Sequence, residues 1–138
     1  MSQLNIDRQF GKDKECEYWE AISCALDCSL NRVPERYALF DYEGKGVKAE
    51  LKSRRNYKFT YPTTMIGVNK IEEAEQNCEH ADYYFCFSFT DRLCYIKYEK
   101  EKFAKYTRKN GGRFDRGYAE INEYVFVPVR DLIDVKSH

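Results

Sequence analysis

The spacing of apolar positions changes several times along the chain, and each change predicts an element. Tyr18, Trp19, Ile22, Ala25 and Leu26 recur at helical intervals, which predicts a helix over 13–30, capped by Asp13 and ended by Asn31 and Pro34. The period then falls to two: 36–42 and 47–54 read as strands joined at Gly44-Lys45-Gly46. Residues 56–64 are aromatic and polar, with Pro62 barring a helix there. Asn69 can cap a helix over 70–77, whose Glu72, Glu73 and Glu75 favour its early turns. The strongest strand signals are 82–90 and 92–98, connected near Thr90 and Asp91. A helix over 100–109, a loop at Gly111-Gly112, a strand over 123–127 and a short turn or helix after Pro128 complete the pattern.

Helix, strands, helix, strands, helix, strand is the order of an α/β fold with a mixed central sheet flanked by helices. No Gly-rich phosphate loop follows the first strand, so a Rossmann fold is not expected. A turn centred on Gly44 and Lys45 places Asp41 opposite Lys48. Side-chain alternation then puts Ala38, Phe40, Tyr42, Val47, Ala49 and Leu51 on a core face, and Asp41, Lys48, Glu50 and Lys52 on the other. A slip of one residue would undo that convergence.

At 138 residues the chain fits one domain spanning 1–138. No apolar run is long enough for a membrane span and no signal-peptide core is present, so a soluble, intracellular protein is expected, cytoplasmic or, if viral, in the host cell or virion. The formal charge is zero but segregated. Residues 7–43 are mostly acidic, and 45–58 and 97–116 are basic, which fits an acidic pocket rimmed by phosphate-binding cations or merely solvated faces. None of the six cysteines forms a Cys-x-x-Cys pair and only His80 and His138 are histidines, which argues against a zinc site. Cys24 and Cys28 lie one helical turn apart as packing residues, and Cys86 and Cys94 are expected to be adjacent across a hairpin but reduced.

The chemistry concentrates in Phe40-Asp41-Tyr42-Glu43-Gly44-Lys45-Gly46-Val47-Lys48-Ala49-Glu50-Leu51-Lys52. Two carboxylates on neighbouring strands can hold a hard divalent cation, with an ammonium two residues away near an attacking water. Glu15 lies on the apolar stripe of the first helix, either near such a metal or in a solvated first turn, with Glu17 and Glu20 as substitutes. Lys70 opens the second helix, where an ordinary exposed first-turn lysine is one reading. Arg54, Arg55 and Lys58 extend the strand carrying Glu50. Lys102, Lys105 and Lys109 share one face of the expected helix over 100–109, followed by Arg113 and Arg116. Such cations hold phosphates without reading bases. Tyr57, Phe59 and Tyr61 alternate along an extended segment; packing into the core is the favoured reading over stacking on unpaired bases.

On the Asp41, Glu50-x-Lys52 hairpin and the Tyr61 to Ile71 segment that follows, the chain resembles the PD-(D/E)XK nuclease superfamily, in its resolvase-like or phage- and virus-type branches. Phe40 stands where the motif has Pro, and no histidine precedes Asp41, unlike the cap-snatching RNA endonucleases. The resemblance implies a restriction-endonuclease-like core and Mg²⁺- or Mn²⁺-dependent hydrolysis of DNA, with RNA the less expected substrate. It implies a structure-selective endonuclease (junction, flap or single strand) leaving 5′-phosphate and 3′-hydroxyl ends. Asp41, Glu50, the Leu51 carbonyl and Glu15 would hold the metal, with Lys52 and Lys70 at the reacting groups. Many relatives are dimers, and the hairpin over 82–98 is the candidate interface. The competing readings are a catalytically inactive nucleic-acid-binding module of the same fold, and an interaction protein whose charges are simply surface.

Overall fold

A computed structural model describes residues 18–32, 40–113 and 120–135. The first helix, α1, described over 18–25, ends sooner than its apolar spacing predicts. The Cys28 N–H donates to the Ser23 carbonyl at 3.1 Å and the Asp27 N–H to the Cys24 carbonyl at 3.2 Å, the two bonds of a Schellman close. Asp27 takes the left-handed conformation this requires, with φ 49°.

The strands are β1 (Asn31–Arg32), β2 (Tyr42–Gly44), β3 (Val47–Ser53), β4 (Thr63–Gly67), β5 (Asp82–Ser88), β6 (Leu93–Lys97), β7 (Thr107–Arg113), β8 (Glu120–Pro128) and β9 (Ile133–Asp134). Helix α2 (Val68–Asn77) follows β4 directly, and α3 (Lys100–Phe103) is a single turn. Six strands form a mixed sheet in the order β1-β2-β3-β5-β6-β9, and three form a second sheet, β4-β8-β7. Among the described strands only the central β3–β5 pair is parallel, joined through β4 and α2. The expected α/β class with a mixed sheet holds.

Two apolar layers cover the large sheet. One packs Ile22 and Leu30 against Tyr42, Ala49, Leu51, Cys86 and Leu93. The other packs Ile71 and Ala74 of α2, and Ile66, Val125 and Val127 of the small sheet, against Phe85, Phe87, Cys94 and Ile96. Cys86 and Cys94 therefore face opposite layers, and both are free thiols. The hairpin over 82–98 lies inside the sheet, between β3 and β9, rather than offering an edge to a partner.

The β2–β3 register pairs Tyr42 with Ala49 and Glu43 with Lys48 around Lys45-Gly46, with Gly46 at φ +71°. This differs by two residues from the predicted pairing, and because the side-chain period is two, Glu50 and Lys52 keep their shared face. Gly44 cannot carry a side chain: a Cβ would lie 2.7 Å from the Ser29 carbonyl oxygen. Phe40 departs from its predicted face. A bend at Asp41 ends the strand alternation and turns the ring into the other layer, 5.0 Å from Tyr83 and 5.9 Å from Phe85.

Two further expectations are corrected. The helix over 100–109 stops at Phe103, because Thr107–Arg113 pairs with β8 and takes Gly111 and Gly112 into the strand. Lys102, Lys105 and Lys109 thus fall on a helical turn, a turn and a strand, not on one helix face. The aromatic segment is inverted: Tyr57, Phe59 and Tyr61 are 60 %, 63 % and 60 % exposed, while Lys58 between them is only 5 % exposed.

Lys58 is held by Asp134 Oδ1 at 2.7 Å and the Leu132 carbonyl at 3.4 Å, and its N–H donates to Asp91 Oδ1 at 2.9 Å. The Cys94 thiol also donates to Asp134 Oδ1, at 3.1 Å, and Arg92 bridges Asp91 and Asp134. The Lys58 hydrogen bond, then that from Cys94, hold the Asp134 carboxyl below its usual range. A lowered folded value contributes stability above the unfolded carboxyl pKa, about 3.9, which is lost as pH falls through the lowered value. Asp134→Asn is therefore expected to lower stability at neutral pH and to flatten its decline below about pH 4. Urea midpoints across that range measure this; parallel curves for the two proteins would contradict it.

Candidate active site

β3 is buried through its middle because layers cover both faces, Ala49 and Leu51 turning to one and Glu50 to the other. Glu50 is 2 % exposed and pairs across the sheet with Phe85. A carboxylate there costs several kcal/mol unless it is paired. Two ammonium groups meet it: Lys70 Nζ lies 2.8 Å and Lys52 Nζ 2.9 Å from the same oxygen, Oε1. The second oxygen, Oε2, is buried and has no hydrogen-bond partner among the described residues.

The supply of the lysines follows from the fold. Lys52 is two residues along β3 on the same face. Lys70 comes from the first turn of α2, where the helix dipole disfavours a cation, and Glu50 offsets that. Its side chain is 16 % exposed and its ammonium lies 5.7 Å from the centre of the Phe40 ring, so it is not an ordinary surface lysine.

Asp41 reaches the same stretch of β3 from the other side. Where β2 has ended, its Oδ2 accepts the Leu51 N–H at 2.9 Å, replacing a strand-to-strand bond with a side chain. The N–H and C=O of one strand residue point to the same neighbour, so the Leu51 carbonyl is directed to Asp41's side of β3. Burial, then the charges of Asp41 and Glu50, push the Cys86 thiol up.

Asp41, Glu50, Leu51, Lys52 and Lys70 are thus brought together. Arg54 continues the line, donating to Thr64 Oγ1 at 3.2 Å and the Met65 carbonyl at 2.8 Å, with its guanidinium 5.7 Å from the Phe87 ring centre. Arg55 is exposed just beyond. Lys58 is not a surface cation: its ammonium is committed to Asp134. Lys109 lies over the Phe126 ring at 4.7 Å, and Arg113 ends β7. Glu15, Glu17 and Arg116 lie outside the described residues. Glu20 is exposed on α1 beside the β5–β6 turn, and α1 packs on the layer opposite Glu50, so this substitute is not brought to the site. Sequence reasoning missed Phe40 beneath Lys70, because strand alternation assigned it elsewhere, and missed Thr64 and Met65 as the seat of Arg54, for which spacing carries no signal.

The donors are hard oxygens, which suit Mg²⁺ or Mn²⁺ rather than a softer metal. A buried carboxylate oxygen without a hydrogen-bond partner fits a ligand position, since native interiors rarely leave such atoms unmet. Among the described residues no group of three or more His, Cys, Asp or Glu side chains is gathered.

A family model, Phage putative PDDEXK endonuclease, matches residues 5–135. The chain belongs to this family. The superfamily resemblance of the Asp41 to Lys52 hairpin is thereby borne out, and membership of an endonuclease family implies a nucleic-acid substrate. Nothing among curated proteins or solved structures matches the chain. Among the described residues no helix is long and apolar enough to cross a membrane.

The two lysines that meet Glu50 differ in burial, and their loss should differ accordingly. Lys70→Met is expected to cost about 1–3 kcal/mol, since it strips a buried partner from Glu50, and Lys52→Met less, because its side chain is 36 % exposed. Urea unfolding at neutral pH measures both; a larger loss for Lys52→Met would contradict the assignment.

Proposed function

We propose that the chain is a divalent-metal-dependent DNA endonuclease that selects its substrate by structure. The observation that carries this reading is Glu50: fully buried, held at one oxygen by two lysines, and unpartnered at the other. Asp41, Glu50 and the Leu51 carbonyl would hold Mg²⁺ or Mn²⁺, with Glu15 as the additional carboxylate. When bound, the metal makes water a nucleophile near neutral pH and neutralises charge on the phosphate.

The residues of the chain do the rest. Lys52 and Lys70, which meet at Glu50 Oε1, are the two ammonium groups that would face the attacking water and the scissile phosphate. Lys52 orients and stabilises the hydroxide; Lys70, fixed at the start of α2, binds a phosphate oxygen. Arg54 and Arg55 take the next backbone phosphate, and Lys102, Lys105, Lys109, Arg113 and Arg116 are the further phosphate contacts. Contacts of this kind position a nucleic acid without reading its sequence, which supports structure-directed selection. A homodimer would supply a second site for the second strand.

Cleavage of labelled duplex, single strand, flap, four-way junction and RNA, with Mg²⁺, Mn²⁺ or EDTA, tests this. Metal-dependent cutting of DNA is expected, falling about 10²–10³-fold in Lys52→Ala. Binding without cutting on any substrate would instead support the inactive binding module.

A further inference from the structure

The segment between β3 and β4 contradicts the ordinary logic of burial. Within Tyr57-Lys58-Phe59-Thr60-Tyr61 the lysine is inside and all three rings are outside. This is not the slackness of a loose loop. The Asn56 carbonyl accepts the Thr90 N–H at 3.0 Å, Lys58 is fixed at both its backbone and its ammonium, the Thr60 N–H closes a turn onto the Tyr57 carbonyl at 3.1 Å, and the Pro62 carbonyl accepts the Val129 N–H at 3.0 Å. The scaffold holds the rings out of the core at fixed places. Met65, 40 % exposed, adds a further apolar surface on the adjoining strand.

Charge accompanies the rings. Lys58 Nζ lies 5.1 Å and Arg92 Cζ 5.3 Å from the centre of the Phe59 ring, and that ring remains 63 % exposed. Arg54 and Arg55 open the segment. Lys58 and Arg92 are engaged with Asp134 and so serve to seat the Phe59 ring, leaving Arg54 and Arg55 as the cations that would meet phosphate. Flat aromatic surfaces beside such cations match unpaired nucleobases on a phosphate backbone, because every base has a face to stack. The segment also continues the strand that carries Glu50 and Lys52. Tyr57 lies five residues beyond Lys52, within about 17 Å even if fully extended, a reach of a few nucleotides.

We infer that Tyr57, Phe59 and Tyr61 form a stacking platform for the unpaired bases of a single-stranded segment adjoining the cleaved linkage. This rests on the nuclease reading above and narrows its substrate to nucleic acid with a single-stranded portion.

Binding in EDTA separates the two claims, because it needs neither metal nor cleavage. A labelled oligothymidine and a duplex of the same length are titrated by fluorescence anisotropy at one fixed salt concentration. The proteins are the wild type, Tyr57→Ala/Phe59→Ala/Tyr61→Ala, Phe59→Leu and Phe59→Trp. The wild type is expected to prefer the oligothymidine, and the triple variant to bind it at least about tenfold more weakly, with a smaller change for duplex. Phe59→Trp should retain affinity where Phe59→Leu, apolar but not flat, does not. All the substituted positions are exposed, and unchanged melting curves confirm folding. Equal affinity of wild type and triple variant for the oligothymidine would overturn the platform. So would unchanged affinity together with a shift from dimer to monomer in sedimentation, which would make the rings a contact between copies. Failure of the wild type to cut any substrate would instead strike the nuclease reading and leave this binding result standing.

Discussion

Burying the Glu50 carboxylate in the middle of a sheet is unfavourable by several kcal/mol without partners, and the surrounding elements are arranged around that demand. α2 starts immediately after β4, so that Lys70 projects from its first turn onto Glu50, against the preference of the helix dipole. Lys52 approaches along the strand itself. Both ammoniums converge on Oε1 and leave Oε2 unmet. A purely structural ion cluster would be expected to satisfy both oxygens, since an unsatisfied buried acceptor costs about 1–3 kcal/mol. On the proposed reading, Oε2 is the oxygen that a divalent cation would take.

The early end of β2 is the second part of the same construction. Had the strand continued, its backbone would cover the Leu51 N–H and carbonyl. Instead the bend at Asp41 brings a carboxylate onto the Leu51 N–H and sends Phe40 under Lys70. One local break in regular pairing therefore delivers a carboxylate and lays an apolar floor beneath a lysine. Farther along the same strand, the Lys58–Asp134–Arg92 network fixes the segment that presents the aromatic rings. The motif strand and the surface beside it form one continuous structure.

Much of this was legible in the sequence wherever a local pattern coincided with the tertiary demand. Val47 to Lys52 alternates as a strand and folds as one, and the two-residue shift in its pairing with β2 did no harm because faces repeat every two residues. Glu50 and Lys52 share a face as their spacing implied, and Asp41 reaches the neighbouring Leu51 N–H, while Lys70 joins Glu50 from α2, a position that only the family resemblance suggested. Patterns failed where a distant partner decided. Residues 107–113, including two glycines, read as helix and loop but are drawn into pairing with β8. Lys58 reads as a surface cation and is buried because Asp134, far along the chain, waits for it. The alternation of Tyr57, Phe59 and Tyr61 is that of a core face, and only the buried lysine between them shows which way the segment turns.

The most direct test of the central claim, that the Glu50 and Asp41 carboxylates form a metal site, is calorimetric titration of Mn²⁺ into the protein without nucleic acid, beside Glu50→Gln and Asp41→Asn. The account predicts binding by the wild type that is lost or weakened by at least about tenfold in each folded variant, a change of 1.4 kcal/mol or more. Equal binding by all three proteins would contradict it, as would no binding by the wild type.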